Sequence, residues 1–332
     1  MSFLKKVLVT GGAGYVGSAL VPKLLAAGYE VTVLDLYLYS KDVFPGFSEH
    51  KSLRQIAGDI RDAAVVTSAV AGQDAIIHLA CISNDPSFDL DPALGKSINY
   101  DAFRPLVRAA KEAGVQRFIN ASSSSVYGVK DEPEVTEDLS REPITDYGKF
   151  KSMCEDVLAE EKVPEMTTVS VRPASVMGYA PRQRLDLTVN IFTMQAVVNG
   201  KLTVFGGDQQ RPNVHIDDMT DLYLLLLGVE KEKIDGKVFN LNAGNETVYG
   251  IAERVRKVIG KDMEIVRTET TDHRSYRTSG ERLRKELGFV PKKTIEDAAR
   301  ELAIAFAQGL LPNPLTDETY YNVKRMKSVD LK

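Results

Sequence analysis

The chain has 332 residues, with 43% apolar and 27% charged residues, enough for one large or two ordinary globular domains. Its 42 Lys and Arg against 46 Asp and Glu leave a formal charge of −4 with both signs interspersed, which argues against a nucleic-acid binder. Two cysteines, Cys81 and Cys154, point to a fold independent of disulfides in a reducing compartment. The short apolar run after Met1–Lys6 breaks at Gly11-Gly12 and does not read as a signal peptide. Leu222–Val229 is too short to span a bilayer, so a cytoplasmic location is expected.

The first half alternates strands and helices. Val7–Val9 is a strand, and Ser18–Ala27 is a helix that ends at Gly28 despite Pro22 inside it. Val31–Leu34 is a β-branched strand ending at Asp35, followed by strands at Leu53–Ala57, Ala75–Leu79, Phe118–Ser122 and Thr168–Arg172. Helices are expected near 62–71, 99–113 and 147–160. This order predicts an α/β fold, a doubly wound parallel sheet whose ligands sit at the carboxyl ends of the strands.

The second half is less regular. Ala180–Asp186 reads as a loop, Asn190–Val198 as a helix, Leu202–Phe205 as a strand, and Thr220–Leu227 as an apolar helix. Val238–Leu241 is a strand able to join the parallel sheet. Thr294, with Asp297 three residues on, opens a final helix running to about Gln308, and Pro312 and Pro314 begin an irregular tail. The expected division is 1–173 plus 214–243 for a cofactor-binding domain, and 174–213 plus 244–332 for a smaller α/β substrate domain built from C-terminal insertions.

Thr10-Gly11-Gly12-Ala13-Gly14-Tyr15-Val16-Gly17 links the first strand to the first helix. Glycines let a pyrophosphate approach the backbone, and the helix start offers open N–H groups with the positive end of a dipole. Asp35 ends the next strand, 18 residues after Gly17, where a carboxylate accepts bonds from a ribose 2′-hydroxyl and repels a 2′-phosphate. NAD is therefore expected rather than NADP, on a Rossmann fold.

Tyr147 and Lys151 lie four apart on a helix capped by Thr145 or Asp146, so they share a face. A nearby ammonium stabilises a phenolate and lowers a pKa near 10, which makes the tyrosine a base. Ser123, 24 residues upstream at a strand end, supplies a hydroxyl to orient the substrate oxygen. A second Tyr-x-x-x-Lys pair, Tyr320 and Lys324, lies in the tail and reads as structural. His78 ends a buried strand and reads as a hydrogen-bonded core residue; the histidines, His215 among them, show no paired spacing, so no metal site is expected.

Several motifs in order give the chain its resemblance: TGGAGYVG, GDIRD at 58–62, HLA at 78–80, Asn99, SSSSVYG at 122–128, YGKFK at 147–151, RPASVMG at 172–178 and RPNVHIDD at 211–218. The chain resembles the extended short-chain dehydrogenases/reductases over about 1–310, and is similar in pattern to nucleotide-sugar epimerases of the UDP-galactose 4-epimerase type. The resemblance implies a cofactor site of Gly11, Gly14, Tyr15, Val16, Gly17, Asp35, Asp59, Ile60, Leu79, Ala80, Asn99, Tyr147 and Lys151, with Asp59 and Ile60 at the adenine and Asn99 helping to fix the active-site helix. Ser123, Tyr147 and Lys151 become the catalytic set. It also implies a nucleoside-diphosphate-sugar site of Ser124, Ser125, Asn190, Phe205, Arg211 and Arg274, with Asn190 and Arg211 on the diphosphate and Phe205 beside the base.

Departures from the family pattern bear on the reaction. The family's 4,6-dehydratases carry an Asp-Glu pair where this chain has Ser124 and Ser125, so water loss is not expected. Ser175 stands where UDP-galactose 4-epimerases have Asn, and Cys81 replaces the usual small residue after HLA. The expected activity is epimerisation of a nucleoside-diphosphate sugar, at C4, through a transient 4-keto sugar. The alternatives are a 4-dehydrogenase or reductase with net redox turnover and, from another class, a non-catalytic NAD sensor. The resemblance further suggests a homodimer through helices 99–113 and 147–160, using Phe103, Leu106, Met153 and Val157.

Overall fold

The computed structural model describes residues 4–260, 262–270, 275, 277–329 and 331. Six strands, β1 (Lys6–Thr10), β2 (Glu30–Asp35), β3 (Leu53–Ala57), β4 (Ala75–His78), β5 (Arg117–Ala121) and β6 (Thr167–Pro173), join the later strand Lys237–Leu241 in one sheet. Every pairing in that sheet is parallel, and its order is β3-β2-β1-β4-β5-β6 with Lys237–Leu241 beyond β6. Strand order reverses between β1 and β4, which opens a crevice at their carboxyl ends.

Buried on both faces, the central strands carry Val7, Val9, Ile77, Ile119 and Val169 toward one core and Leu8, Leu34, Ile76 and Phe118 toward the other. Tyr15–Ala26 and Ile216–Gly228 pack on the first face; Phe103–Glu112 and Asp146–Glu160 cover the second. The helix Tyr15–Ala26 runs through Pro22 without a break.

Beyond β6 the chain forms two small sheets, Ser175–Met177 with Gln210–His215 and Gly244–Thr247, and Leu202–Phe205 with Ile265–Thr268. Only Leu202–Phe205 among these strands was expected: the others are short or, like Gln210–His215 with its polar start and Pro212, lack an apolar alternation. The helices expected at 99–113 and 190–198 contain π-helical turns at Ser97–Asp101 and Gln195–Asn199. The final helix, Ile295–Ala307, has the expected capping box.

Two expectations are corrected. The tail is not irregular: a turn at Glu318–Tyr320 leads into a helix, Asn322–Val329, fastened by Arg325 to the Leu38 carbonyl at 2.6 Å and by Asn322 to Ser83 at 2.9 Å. Its order comes from these distant polar contacts, which no local pattern announces. Phe103, Leu106 and Val157 are not an outward apolar face but lie buried in the core against the sheet. The outer side of those helices carries charge instead, with Arg104, Arg108 and Lys111 gathered on Glu161. No helix among the described residues is long and apolar enough to cross a membrane.

Candidate active site

The crevice is a cavity of about 680 Å³ running from the glycine turn to the start of the helix Asp146–Glu160. At one end the glycines are obligatory. Gly11 has φ +73°, and a Cβ there would lie 2.5 Å from the Ala80 amide nitrogen; at Gly17 it would lie 2.4 Å from the Gly12 carbonyl oxygen. The turn is tied to β2, since Asp35 accepts the Ala13 amide at 2.9 Å and the Tyr37 amide at 2.8 Å. Gly14 leaves the following helix without a side-chain cap, so the first-turn amides face the cavity as an anion cradle.

At the other end Thr145 caps the helix, its hydroxyl accepting the Gly148 amide at 3.2 Å. Tyr147 and Lys151 project from that helix into the cavity, and Ser123 enters from the end of β5. Ser123 lies near enough to the Tyr147 hydroxyl to pull its pKa down. Lys151, 5% exposed, donates to the Ala121 carbonyl at 2.7 Å.

Burial governs the phenol here: it pushes Tyr147 up to about 12, while Lys151 and Ser123 pull the other way and Cys81 and Asp85 add to the rise. Lys151 is held above its usual range; burial pulls it down, and the anionic forms of Cys81 and Tyr147 outweigh that. The ammonium is thus a charge the site retains.

Behind this pair sits a buried network. Arg172 forks onto Glu155 at 2.9 and 2.6 Å, donates to the Tyr127 hydroxyl at 2.7 Å, and Ser122 donates to Glu155 at 2.5 Å. It locks the helix bearing Tyr147 to β5 and β6. Glu155 escaped notice in the sequence because one carboxylate on a charged helix looks like any other.

Most of the expected cofactor residues line the cavity: Gly11, Gly14, Tyr15, Val16, Gly17, Asp35, Asp59, Ile60, Leu79, Ala80, Tyr147 and Lys151. Asn99 does not. Its amide clasps the Ile82 backbone at both ends (2.8 and 2.9 Å) and its carbonyl accepts the Cys154 thiol, so it ties the segment after β4 to the active-site helix.

Of the expected substrate residues, Ser124, Ser125, Phe205 and Arg211 line the cavity, with Phe205 61% exposed. Asn190 is fully buried and spent on the Gly178 amide, the Tyr15 hydroxyl and the Arg184 carbonyl, so it does not face a diphosphate. Arg274 lies outside the described residues.

Arg182 and Arg184, in what had read as a plain loop, also line the cavity, as does Met326 from the tail. Two arginines in a short polar stretch were the only signal, and nothing local says which way they turn.

His78 meets its expectation, with its Nδ1 2.8 Å from the Thr10 hydroxyl and its pKa pushed down to about 3 by burial and then by Lys151. Among the described residues, His215, Asp217 and Glu301 bring ligand-type atoms within 4.8 Å of one another. His215 Nδ1 accepts the Asp217 amide, which leaves the proton on Nε2, 2.9 Å from Glu301. That arrangement caps a helix, with the ring's lone pair already taken.

The model of the NAD dependent epimerase/dehydratase family matches residues 7–242. The chain belongs to that family. It is an enzyme of the epimerase/dehydratase type, and its cofactor is NAD. The UDP-glucose 4-epimerase of Lactobacillus helveticus is 31% identical over 78% of this chain and 83% of its own length. The structure of the Thermotoga maritima UDP-glucose 4-epimerase with UDP-glucose matches at TM-score 0.83 and 25% identity, over 92% of this chain and 99% of that one. The dTDP-glucose 4,6-dehydratase of Streptomyces venezuelae with NAD bound matches equally well, at TM-score 0.83 and 27% identity, over 94% and 100%. The cradle described above fits such a dinucleotide: glycines where any side chain would collide, an uncapped helix start and a strand-end carboxylate.

Proposed function

We propose that this family member is an NAD-dependent epimerase of a nucleoside-diphosphate sugar, acting at C4 through a transient 4-keto sugar. The observation that carries this reading is the convergence of Ser123, Tyr147 and Lys151 on one end of the NAD crevice, with hydroxyls rather than carboxylates at Ser124 and Ser125. Similarity to an epimerase structure holding UDP-glucose supports a substrate of that class. Gly11, Gly14, Tyr15, Val16, Gly17, Asp35, Asp59 and Ile60 would hold the cofactor. When bound, NAD supplies the hydride-accepting and hydride-returning chemistry.

The residues supply the rest. Tyr147 takes the proton of the sugar hydroxyl as oxidation proceeds and returns it as the alcohol re-forms. Ser123 orients that oxygen by donating to it. Lys151, pinned by the Ala121 carbonyl, works against the burial that raises the phenol and so favours the phenolate that accepts this proton. Ser125 donates to Ser123 at 2.9 Å and so directs the Ser123 proton toward the substrate side.

The test supplies purified protein with C4-epimeric pairs of UDP- and dTDP-sugars and follows both sugars and NADH. Interconversion without net NADH is expected. Accumulating stoichiometric NADH would mean a dehydrogenase, and failure to interconvert any pair would sink the reading.

One observation favours a dehydratase: Asp85 lines the cavity and acts electrostatically on Tyr147. It offers a single carboxylate, whereas water loss from a sugar needs protons both removed and delivered. Asp85→Asn is expected to leave epimerisation within a few-fold; a dehydratase would lose its turnover.

A further inference from the structure

The loop Ala180–Asp186 brings two arginines against the start of the helix Tyr15–Ala26, and neither belongs to any role described so far. Arg182 is 4% exposed and Arg184 7%, yet Nε of Arg182 and Nη2 of Arg184 are buried with no hydrogen-bond partner. Both side chains line the cavity alongside Gly14, Tyr15 and Val16.

Their remaining groups are firmly held. The Arg182 amide donates to Ser18 of that helix at 3.1 Å, its guanidinium lies 3.5 Å over the Tyr39 ring, and one Nη donates to Asn322 at 2.6 Å. Arg184 donates to Asp186 at 2.8 Å and to Ser83 at 3.1 Å. Asn190 ties the Arg184 carbonyl to the Tyr15 hydroxyl.

We propose that Arg182 and Arg184 form the outer jaw of a diphosphate clamp, gripping the pyrophosphate of NAD against the first-turn amides of the helix Tyr15–Ala26. A buried cation is costly unless it is paired. Asp186 pairs with Arg184, whereas the Arg182 guanidinium forms no ion pair among the described residues: it has the neutral Asn322 amide and the Tyr39 ring face, and Asp186 and Asp35 act on it only from a distance. Burial lowers the Arg182 guanidinium to about 10; the Tyr39 phenol pulls it back up, Arg184 adds repulsion, and Asp186 and Asp35 offset part of the fall. A diphosphate supplies a directly paired negative charge together with acceptor oxygens for the two open N–H groups. The tail takes part as a strut: Asn322 receives Arg182 and donates to Ser83, so Asn322–Val329 holds the jaw in place.

The experiment uses full-length protein stripped of nucleotide and measures calorimetric binding of ADP, adenosine and UDP. ADP affinity is expected to fall about tenfold or more in Arg184→Gln and in Arg182→Gln, with adenosine unchanged. In the unaltered protein the preference for ADP over adenosine is expected to shrink as ionic strength rises. That salt series needs no variant and decides the matter where a substitution prevents folding. Equal losses for ADP and adenosine, a loss confined to UDP, or a salt-insensitive ADP preference would each overturn the clamp. Sugar turnover is not measured, so the outcome is independent of the epimerase reading.

Discussion

The two ends of the cavity are built in opposite ways. At the catalytic end Ser123, Tyr147 and Lys151 come from two elements packed side by side, held by the Thr145 cap and by ties to neighbouring strands such as Lys151 to Ala121 and Ser122 to Glu155, 30 and 33 residues apart. At the phosphate end the inner wall is a single glycine turn, while the outer wall gathers Arg182, Arg184, Ser83 and Asn322 from remote parts of the chain, up to 239 residues apart. The proposed catalytic set is held by contacts between elements close in the chain, and the proposed phosphate jaw by polar ties across most of its length. Damage at one end should therefore leave the other intact.

The largest expected effect tests that separation. Tyr147→Phe removes the proposed proton acceptor and is expected to lower turnover by about 10²–10⁴-fold while retained NAD stays unchanged, read by steady-state assay and by nucleotide released on denaturation. Loss of NAD in this variant would show that the ends are not separable. Gly17→Ala is the mirror case. Its Cβ would strike the Gly12 backbone, so NAD binding and melting temperature should fall together, with a stability loss of about 1–3 kcal/mol.

A third effect concerns pH. The fold keeps His78 neutral down to about pH 3, whereas the unfolded chain protonates it near 6.5. The unfolded state therefore binds the extra proton, and the His78 contribution is intact above about 6.5 and lost as pH falls toward 3. At pH 5 this amounts to about 2 kcal/mol, so His78→Gln should show a smaller drop in melting temperature between pH 7.5 and 5 than the parent protein. An equal drop would assign the acid sensitivity elsewhere. The smallest effect is Thr145→Ala, expected to cost about 1 kcal/mol and to lower turnover modestly by fraying the turn that carries Tyr147, with NAD binding unaffected.

The catalytic end was legible because it is periodic and local. β-Branched strands, the glycine turn and the four-residue step from Tyr147 to Lys151 each declare themselves within a short window. Asn99 and Asn190 show where that legibility stops: Asn99 braces the helix as expected but does not line the cofactor cavity, and Asn190, expected on the diphosphate, is spent on holding backbone together. Their motif positions point to the site, while their hydrogen-bond partners, set by packing, decide their role. Phe103, Leu106 and Val157 teach the same lesson from the core, since an apolar helical stripe is identical in sequence whether it meets a sheet or a partner.

By itself the sequence determined the parallel α/β sheet, the dinucleotide turn and the Ser-Tyr-Lys set, because hydrophobic period, glycine placement and helical spacing are properties of neighbouring residues. Only the tertiary structure decided that the tail is a helix, that Arg182 and Arg184 face the glycine turn, and that burial rather than Lys151 dominates the Tyr147 phenol. Those outcomes depend on desolvation and on contacts between residues far apart in the chain, quantities that exist only once the chain has closed on itself.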